Sequence, residues 1–122
     1  MFELTVISDF SAAHKLRGYT GKCENLHGHN WKVSVVVESK DLNRLGIVMD
    51  FKDIKKELNN VLEKLDHKDL NNLVFFKKIN PSSENIASFI YSRISYKLKD
   101  KGVNVKKVSV WETDTSCASY SV

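Results

Sequence analysis

From Phe2 to His14 the chain alternates between apolar and polar positions. Phe2, Leu4, Val6, Phe10, Ala12 and His14 fall on one side of an extended backbone, and Glu3, Thr5, Asp9 and Ser11 fall mostly on the other. A period of two marks a half-buried strand, because successive side chains point to opposite faces. Residues 15–26, with Gly18 and Gly21, read as a loop. Alternation resumes near Asn30 and runs to about Glu38, with Trp31, Val33, Val35 and Val37 on one face. The period then changes. Phe51, Ile54, Leu58, Val61, Leu62 and Leu65 have helical spacing, and Asp50 precedes them as a cap. Pro81-Ser82-Ser83-Glu84 supplies the proline, hydroxyl cap and first-turn acid that open a second helix. Ile86, Phe89, Ile90, Ile94 and Leu98 form its apolar stripe. Val105 to Glu112 reads as a third strand and Cys117 to Val122 as a fourth, with a turn between them. The predicted order is ββααββ, an α+β fold with one antiparallel sheet and two helices on one face. Strands at both chain ends leave open sheet edges, so a homo-oligomer is expected.

Composition narrows the class. The 122 residues suit one domain, 1–122, and 42% apolar with 28% charged residues predicts a globular chain. No apolar run approaches the length of a membrane span, and Met1 to Thr5 lacks the start of a secretory signal. A cytoplasmic protein with no membrane partner is expected. Cys23 and Cys117 are then expected to be free thiols, with Cys117 buried in the last strand. The net charge of +4 comes from scattered lysines and arginines rather than a basic block. That weighs against nucleic acid and suits a small anionic substrate.

The chemistry concentrates around Cys23-Glu24-Asn25-Leu26-His27-Gly28-His29. Residues i and i+2 of an extended chain share a face, so His27 and His29 can aim at one metal ion. His14 ends the first strand on its apolar face. If the first two strands pair antiparallel, all three histidines meet. Three imidazoles leave tetrahedral Zn²⁺ one open position, the arrangement of catalytic rather than structural sites. Cys23 has several readings: a fourth ligand, a core thiol, or a base whose pKa the metal lowers. His67, after Asp66, is either a solvated loop histidine or half of a carboxylate–imidazole proton relay. Glu112 shares parity with Val108 and Val110, on the apolar face. A buried carboxylate there needs a cationic partner or a ligand edge with paired N–H donors, such as the pyrimidine side of a pterin.

Several motifs carry a resemblance. They are Ala13-His14, Cys23-x-x-x-His27-Gly28-His29-Asn30, Val48-Met49-Asp50-Phe51, Leu65-Asp66-His67-x-x-Leu70-Asn71, Asn80-Pro81-Ser82-Ser83-Glu84-Asn85 and Trp111-Glu112-Thr113. In these, and in their order, the chain resembles the 6-pyruvoyl-tetrahydropterin synthase family, and within it the branch that serves bacterial queuosine biosynthesis. The short gap between Cys23 and the histidine triplet is similar to that branch. A further branch feeds folate synthesis and carries glutamate in the cysteine's role; in this chain Glu24 stands beside Cys23. The resemblance implies a tunnelling fold (T-fold) whose sheets close into a barrel between subunits, with trimers paired into a homohexamer and sites shared between subunits. It implies Zn²⁺ on His14, His27 and His29, Cys23 as base, Asp66 and His67 as its relay, and Glu112 as the pterin anchor, with Ser83 and Glu84 in the pterin pocket. The implied reaction converts 7,8-dihydroneopterin triphosphate to 6-carboxy-5,6,7,8-tetrahydropterin, releasing acetaldehyde and triphosphate. The alternatives are a 6-pyruvoyl-tetrahydropterin or 6-hydroxymethyl-dihydropterin product, or a non-catalytic zinc-stabilised binding module that uses Cys23 as fourth ligand. Lys15, Arg17 and Lys22 are candidates for holding the triphosphate.

Overall fold

The computed structural model describes residues 1–19 and 25–122. Strand β1 spans Phe2–His14 and β2 spans His27–Ser39. Helix α1 covers Phe51–Leu62, a two-residue strand β3 covers Lys68–Asp69, and α2 covers Ser83–Leu98. β4 runs over Asn104–Thr113 and β5 over Ser116–Tyr120. The sheet order is β3-β1-β2-β4-β5. The alternating segments became strands and the 3.6-period segments became helices. The segment between the helices adds β3 parallel to β1 at Ala12 and Ala13, followed by two short 3-10 turns. Leu65 lies beyond the end of α1, in the turn after it, yet is fully buried.

One face of the sheet carries the core. Val6, Phe10 and Ala12 of β1, Trp31, Val33, Val35 and Val37 of β2, and Val105, Val108 and Val110 of β4 pack beneath Ile54, Leu58, Ile86, Ile90 and Ile94 of the helices. Each fully buried aliphatic side chain contributes about 1.5–3 kcal/mol by leaving water. Both helices start where the sequence signals them. Asp50 accepts from the Lys52 N–H at 2.8 Å and Ser82 from the Asn85 N–H at 3.1 Å, caps worth about 1 kcal/mol each. The second face has no helical cover among the described residues, and Ile7 on it is exposed. Cys117, expected to be buried, is exposed on β5. β5 is an edge strand, and Cys117 pairs with Trp111, which falls on the parity opposite to the core residues Val108 and Val110.

β1 and β2 are paired without a register break from Phe2↔Ser39 to His14↔His27. That register sets the site: it brings the last residue of β1 directly opposite the first residue of β2, on the core-facing side of the sheet.

Candidate metal centre

Four side chains converge at this end of the sheet. His14 ends β1, His27 and His29 begin β2, and Glu112 lies near the end of β4. One potential ligand atom from each lies within 4.8 Å of all the others. Cross-strand pairing explains the first three: His14 is opposite His27, and His29 is two residues along on the same face. The Lys32↔Trp111 pairing explains the fourth, since the next residue of β4 falls beside the start of β2 on the core face. Trp31, fully buried, forms the floor. Its ring lies 4.8 Å from that of His14 and 5.3 Å from that of His29, both edge-on. Its indole N–H donates to the Ala12 carbonyl at 3.2 Å.

Hydrogen bonds decide which imidazole nitrogens are free. His14 Nδ1 lies 2.7 Å from the Pro81 carbonyl oxygen, and His27 Nδ1 lies 2.7 Å from that of Asn25. A carbonyl only accepts, so each Nδ1 carries a proton, and in the neutral ring it is Nε2 that presents the lone pair. Metal-bound histidines are commonly fixed in this way, with the second ring nitrogen tied to a carbonyl or carboxylate. His14 Nε2 and His29 Nε2 are buried and have no hydrogen-bond partner of acceptable geometry among the described residues. Glu112 Oε1 nevertheless lies 2.9 Å from His14 Nε2 and 3.3 Å from His29 Nε2. A lone pair on His14 Nε2 and a carboxylate oxygen are both electron-rich, and a cation shared by the two suits them. Burial pushes the His29 pKa below its ordinary value, against the attraction of Glu112, and His27 and His14 push it the same way as burial. Neutral imidazoles are the ligating form. The donor set therefore fits a divalent ion of borderline softness such as Zn²⁺.

Glu112 was expected on the apolar face and buried. It faces that way, but its side chain is about one-third exposed and stands against the histidines. Sequence parity located its face; only the order of strands in the sheet brings β4 beside β2.

The other expected site residues fall elsewhere. Asp66 and His67 form a pair, with Asp66 Oδ2 at 2.9 Å from His67 Nδ1. Asp66 Oδ1 accepts the Ser11 backbone N–H at 2.9 Å. That bond, more than the contact with His67, holds the Asp66 carboxyl below the usual range. His67 has a left-handed backbone, φ 57°, and donates its N–H to the Ser11 carbonyl at 2.6 Å. For a non-glycine residue this is strained, and such strain clusters at functional positions. The His67 side chain is 81% exposed, and among the described residues no hydrogen bond, ion pair or ring contact joins it to the histidine cluster. Ser83 is half-buried in the first turn of α2 and Glu84 beside it is exposed. Cys23 and Lys22 lie outside the described residues. Arg17 is committed within the chain: its guanidinium donates to the carbonyls of Ile79, Asn71 and Phe76. The carbonyls of Pro81 and Asn25 are participants that side-chain motifs alone did not reveal.

A hollow of about 610 Å³ lies along the connection from β2 to α1 and touches none of the histidines. A shallow cleft of about 270 Å³ includes His29, with Ser11, Ala12, Gly28 and Asn30. No helix among the described residues is long and apolar enough to cross a membrane.

The pattern of the family described as 6-pyruvoyl tetrahydropterin synthase matches residues 3–122. A Synechocystis protein named 6-carboxy-5,6,7,8-tetrahydropterin synthase is 39% identical, over 91% of this chain and 86% of its own. A Pyrococcus furiosus protein named dihydroneopterin monophosphate aldolase is also 39% identical, over 86% of this chain and 84% of its own. The structure of the Caenorhabditis elegans 6-pyruvoyl tetrahydropterin synthase superposes with a TM-score of 0.89 at 28% identity, covering 99% of this chain and 95% of that one. The two helices on one face of the sheet are accordingly those of a T-fold. By pattern, by relatives and by fold, the chain belongs to the 6-pyruvoyl tetrahydropterin synthase family, a family of pterin-processing enzymes.

Proposed function

We propose that the protein is a zinc-dependent 6-carboxy-5,6,7,8-tetrahydropterin synthase acting in queuosine biosynthesis. Its substrates are 7,8-dihydroneopterin triphosphate and one water, and acetaldehyde and triphosphate leave. The observation that carries the reading is the convergence of His14, His27 and His29, with Nδ1–H of His14 and of His27 tied to backbone carbonyls and Glu112 alongside. His14, His27 and His29 would hold the zinc. When bound, the ion acts as a Lewis acid that lowers the pKa of side-chain hydroxyls and polarises a forming carbonyl.

The remaining chemistry belongs to this chain's own residues. Glu112 accepts the paired N–H donors of the pterin edge and fixes its orientation. Cys23, as thiolate, removes a proton from the side chain of the substrate. His67, aligned through Nδ1 by Asp66, exchanges that proton through Nε2 at a later step. Ser83 and Glu84, at the start of α2, add contacts to the pterin pocket. The exposed His67 and the shallow cleft at His29 fit a site completed by a second subunit. A homohexamer of paired trimers, with sheets closed into a barrel, would supply it. The open outer edge of β1, which β3 covers only at Ala12 and Ala13, is available for that closure. Action as one domain over residues 1–122 in the cytoplasm completes the reading.

A second reading rests on the relative named as an aldolase: a folate-pathway branch with 6-hydroxymethyl-dihydropterin as product, in which Glu24 replaces Cys23 as the base. Mass spectrometry of the products formed from 7,8-dihydroneopterin triphosphate separates the readings. The 6-carboxy product with acetaldehyde supports the first. A 6-pyruvoyl or 6-hydroxymethyl product replaces it, and no turnover with zinc bound points to a non-catalytic module.

A further inference from the structure

The chain beyond His14 is strapped to the segment that precedes α2, and the strap ends on a candidate metal ligand. Asn71 Oδ1 accepts the Lys15 N–H at 2.9 Å, and Asn71 Nδ2 donates to the Lys15 carbonyl at 3.0 Å. Asn80 repeats the contact two residues on: Oδ1 accepts the Arg17 N–H at 2.9 Å and Nδ2 donates to the Arg17 carbonyl at 3.1 Å. Residues i and i+2 of an extended chain turn the same backbone edge outward. Two side-chain amides thus take the place of a neighbouring strand after β1 has ended. The Arg17 guanidinium closes the strap from the other side. Its Nη1 donates to the Ile79 carbonyl at 3.3 Å, and its Nη2 donates to the carbonyls of Asn71 at 3.1 Å and Phe76 at 2.6 Å. Asn85 Nδ2 donates to the Asn80 carbonyl at 2.8 Å, tying the same peptide to α2. The next residue is Pro81, whose carbonyl accepts the His14 Nδ1–H at 2.7 Å.

We propose that Arg17 and Asn80 are positioning residues for the metal centre: they hold the Pro81 carbonyl on His14 Nδ1 and so fix the ring in its Nδ1–H tautomer with Nε2 aimed at the ion. Residues 79–81 form no regular helix or strand, so these bonds set where the Pro81 carbonyl sits. Without them the imidazole can turn or carry its proton on Nε2, which blocks ligation. The Asn71-x₈-Asn80-Pro81 pattern and Arg17 thereby gain a role that contact with substrate does not explain. By sequence Arg17 is a candidate for the triphosphate, but its donors are turned to these carbonyls.

This role rests on the proposed metal site, and the test keeps the two apart. Zinc affinity is measured by competition with a chromophoric chelator for the full-length wild type, Asn80→Ala and Arg17→Ala. The His14 tautomer is read in the zinc-free proteins from ring ¹⁵N shifts. Loss of an outer partner of a ligating histidine typically weakens metal binding by about 10–100-fold. That loss is expected in both variants, together with a shift of the His14 proton from Nδ1 towards Nε2. Arg17→Lys keeps a cation with three donors and is expected to recover part of the affinity. If Asn80→Ala fails to fold, Asn80→Asp carries the test, because it keeps the acceptor for the Arg17 N–H and sets an oxygen against the Arg17 carbonyl. A lowered Tm with unchanged zinc affinity and unchanged His14 tautomer overturns the proposal and leaves the strap a purely structural device. If the wild type binds no zinc, the metal reading fails. The tautomer shift then still decides whether the strap governs His14.

Discussion

Replacing Glu112 by glutamine separates two roles that its position allows. Glu112 Oε1 is close enough to His14 Nε2 and His29 Nε2, at 2.9 and 3.3 Å, to share an ion with them. Its side chain is also about one-third exposed, so its second oxygen can meet a ligand from solvent. As pterin anchor, the carboxylate accepts two N–H donors in parallel. Glutamine keeps the shape but turns one acceptor into an NH₂ donor, which faces the donor edge of the pterin. A hydrogen bond to a charged group is worth about 1.5–3 kcal/mol, and about 1.4 kcal/mol is a factor of ten. Glu112→Gln is therefore expected to weaken binding of a pterin product or analogue by roughly 10- to 150-fold. Zinc content should stay at the wild-type level, because three imidazoles already make a complete catalytic ligand set. Calorimetry with a pterin and metal analysis of the same preparation decide the matter. Pterin binding as tight as in the wild type refutes the anchor. Loss of zinc with the substitution refutes the separation of roles and makes Glu112 a fourth ligand.

Three other outcomes are expected. Cys23→Ala should retain zinc and fold but lose most activity in a product assay; loss of zinc would make Cys23 a ligand. In sedimentation experiments the protein should run as a homo-oligomer, most simply a hexamer, and a fully active monomer at micromolar concentration would contradict a shared site. Asp66 should make stability dependent on acid. Its folded pKa is depressed, chiefly by the Ser11 N–H, so its contribution is present above the unfolded carboxyl value of about 3.9 and is lost as pH falls through the lower folded one. Urea unfolding across that range should therefore show the wild type losing its advantage over Asp66→Asn in acid, with a constant gap near neutrality. A gap that persists unchanged through the acid range would contradict the role of the Ser11 bond.

The period of the apolar residues by itself determined which segments are strands and which are helices. Alternation from Phe2 to His14 and from Trp31 to Val37 can bury one face only as a strand, and the spacing from Phe51 to Leu62 can do so only as a helix. Caps at Asp50 and Ser82 were legible because the signal is local: one side chain bonding an N–H two or three residues away. The shared parity of His14, His27 and His29 was legible for the same reason. What the sequence left open depends on contacts between distant segments. The order of strands, which sets Glu112 against the histidines, follows from packing of the whole sheet. The exposure of Cys117 follows from its place on an edge strand opposite a residue turned from the core. The additional strand β3 at Lys68–Asp69 is two residues long, too short for any period to register, and exists because β1 offers an edge. The proton on His14 is set by the Pro81 carbonyl, 67 residues away, and a main-chain oxygen has no side-chain letter to announce it. Local patterning thus named the candidate ligands, and tertiary packing decided which carbonyls meet the Nδ1 atoms of His14 and His27 and set Glu112 beside the cluster.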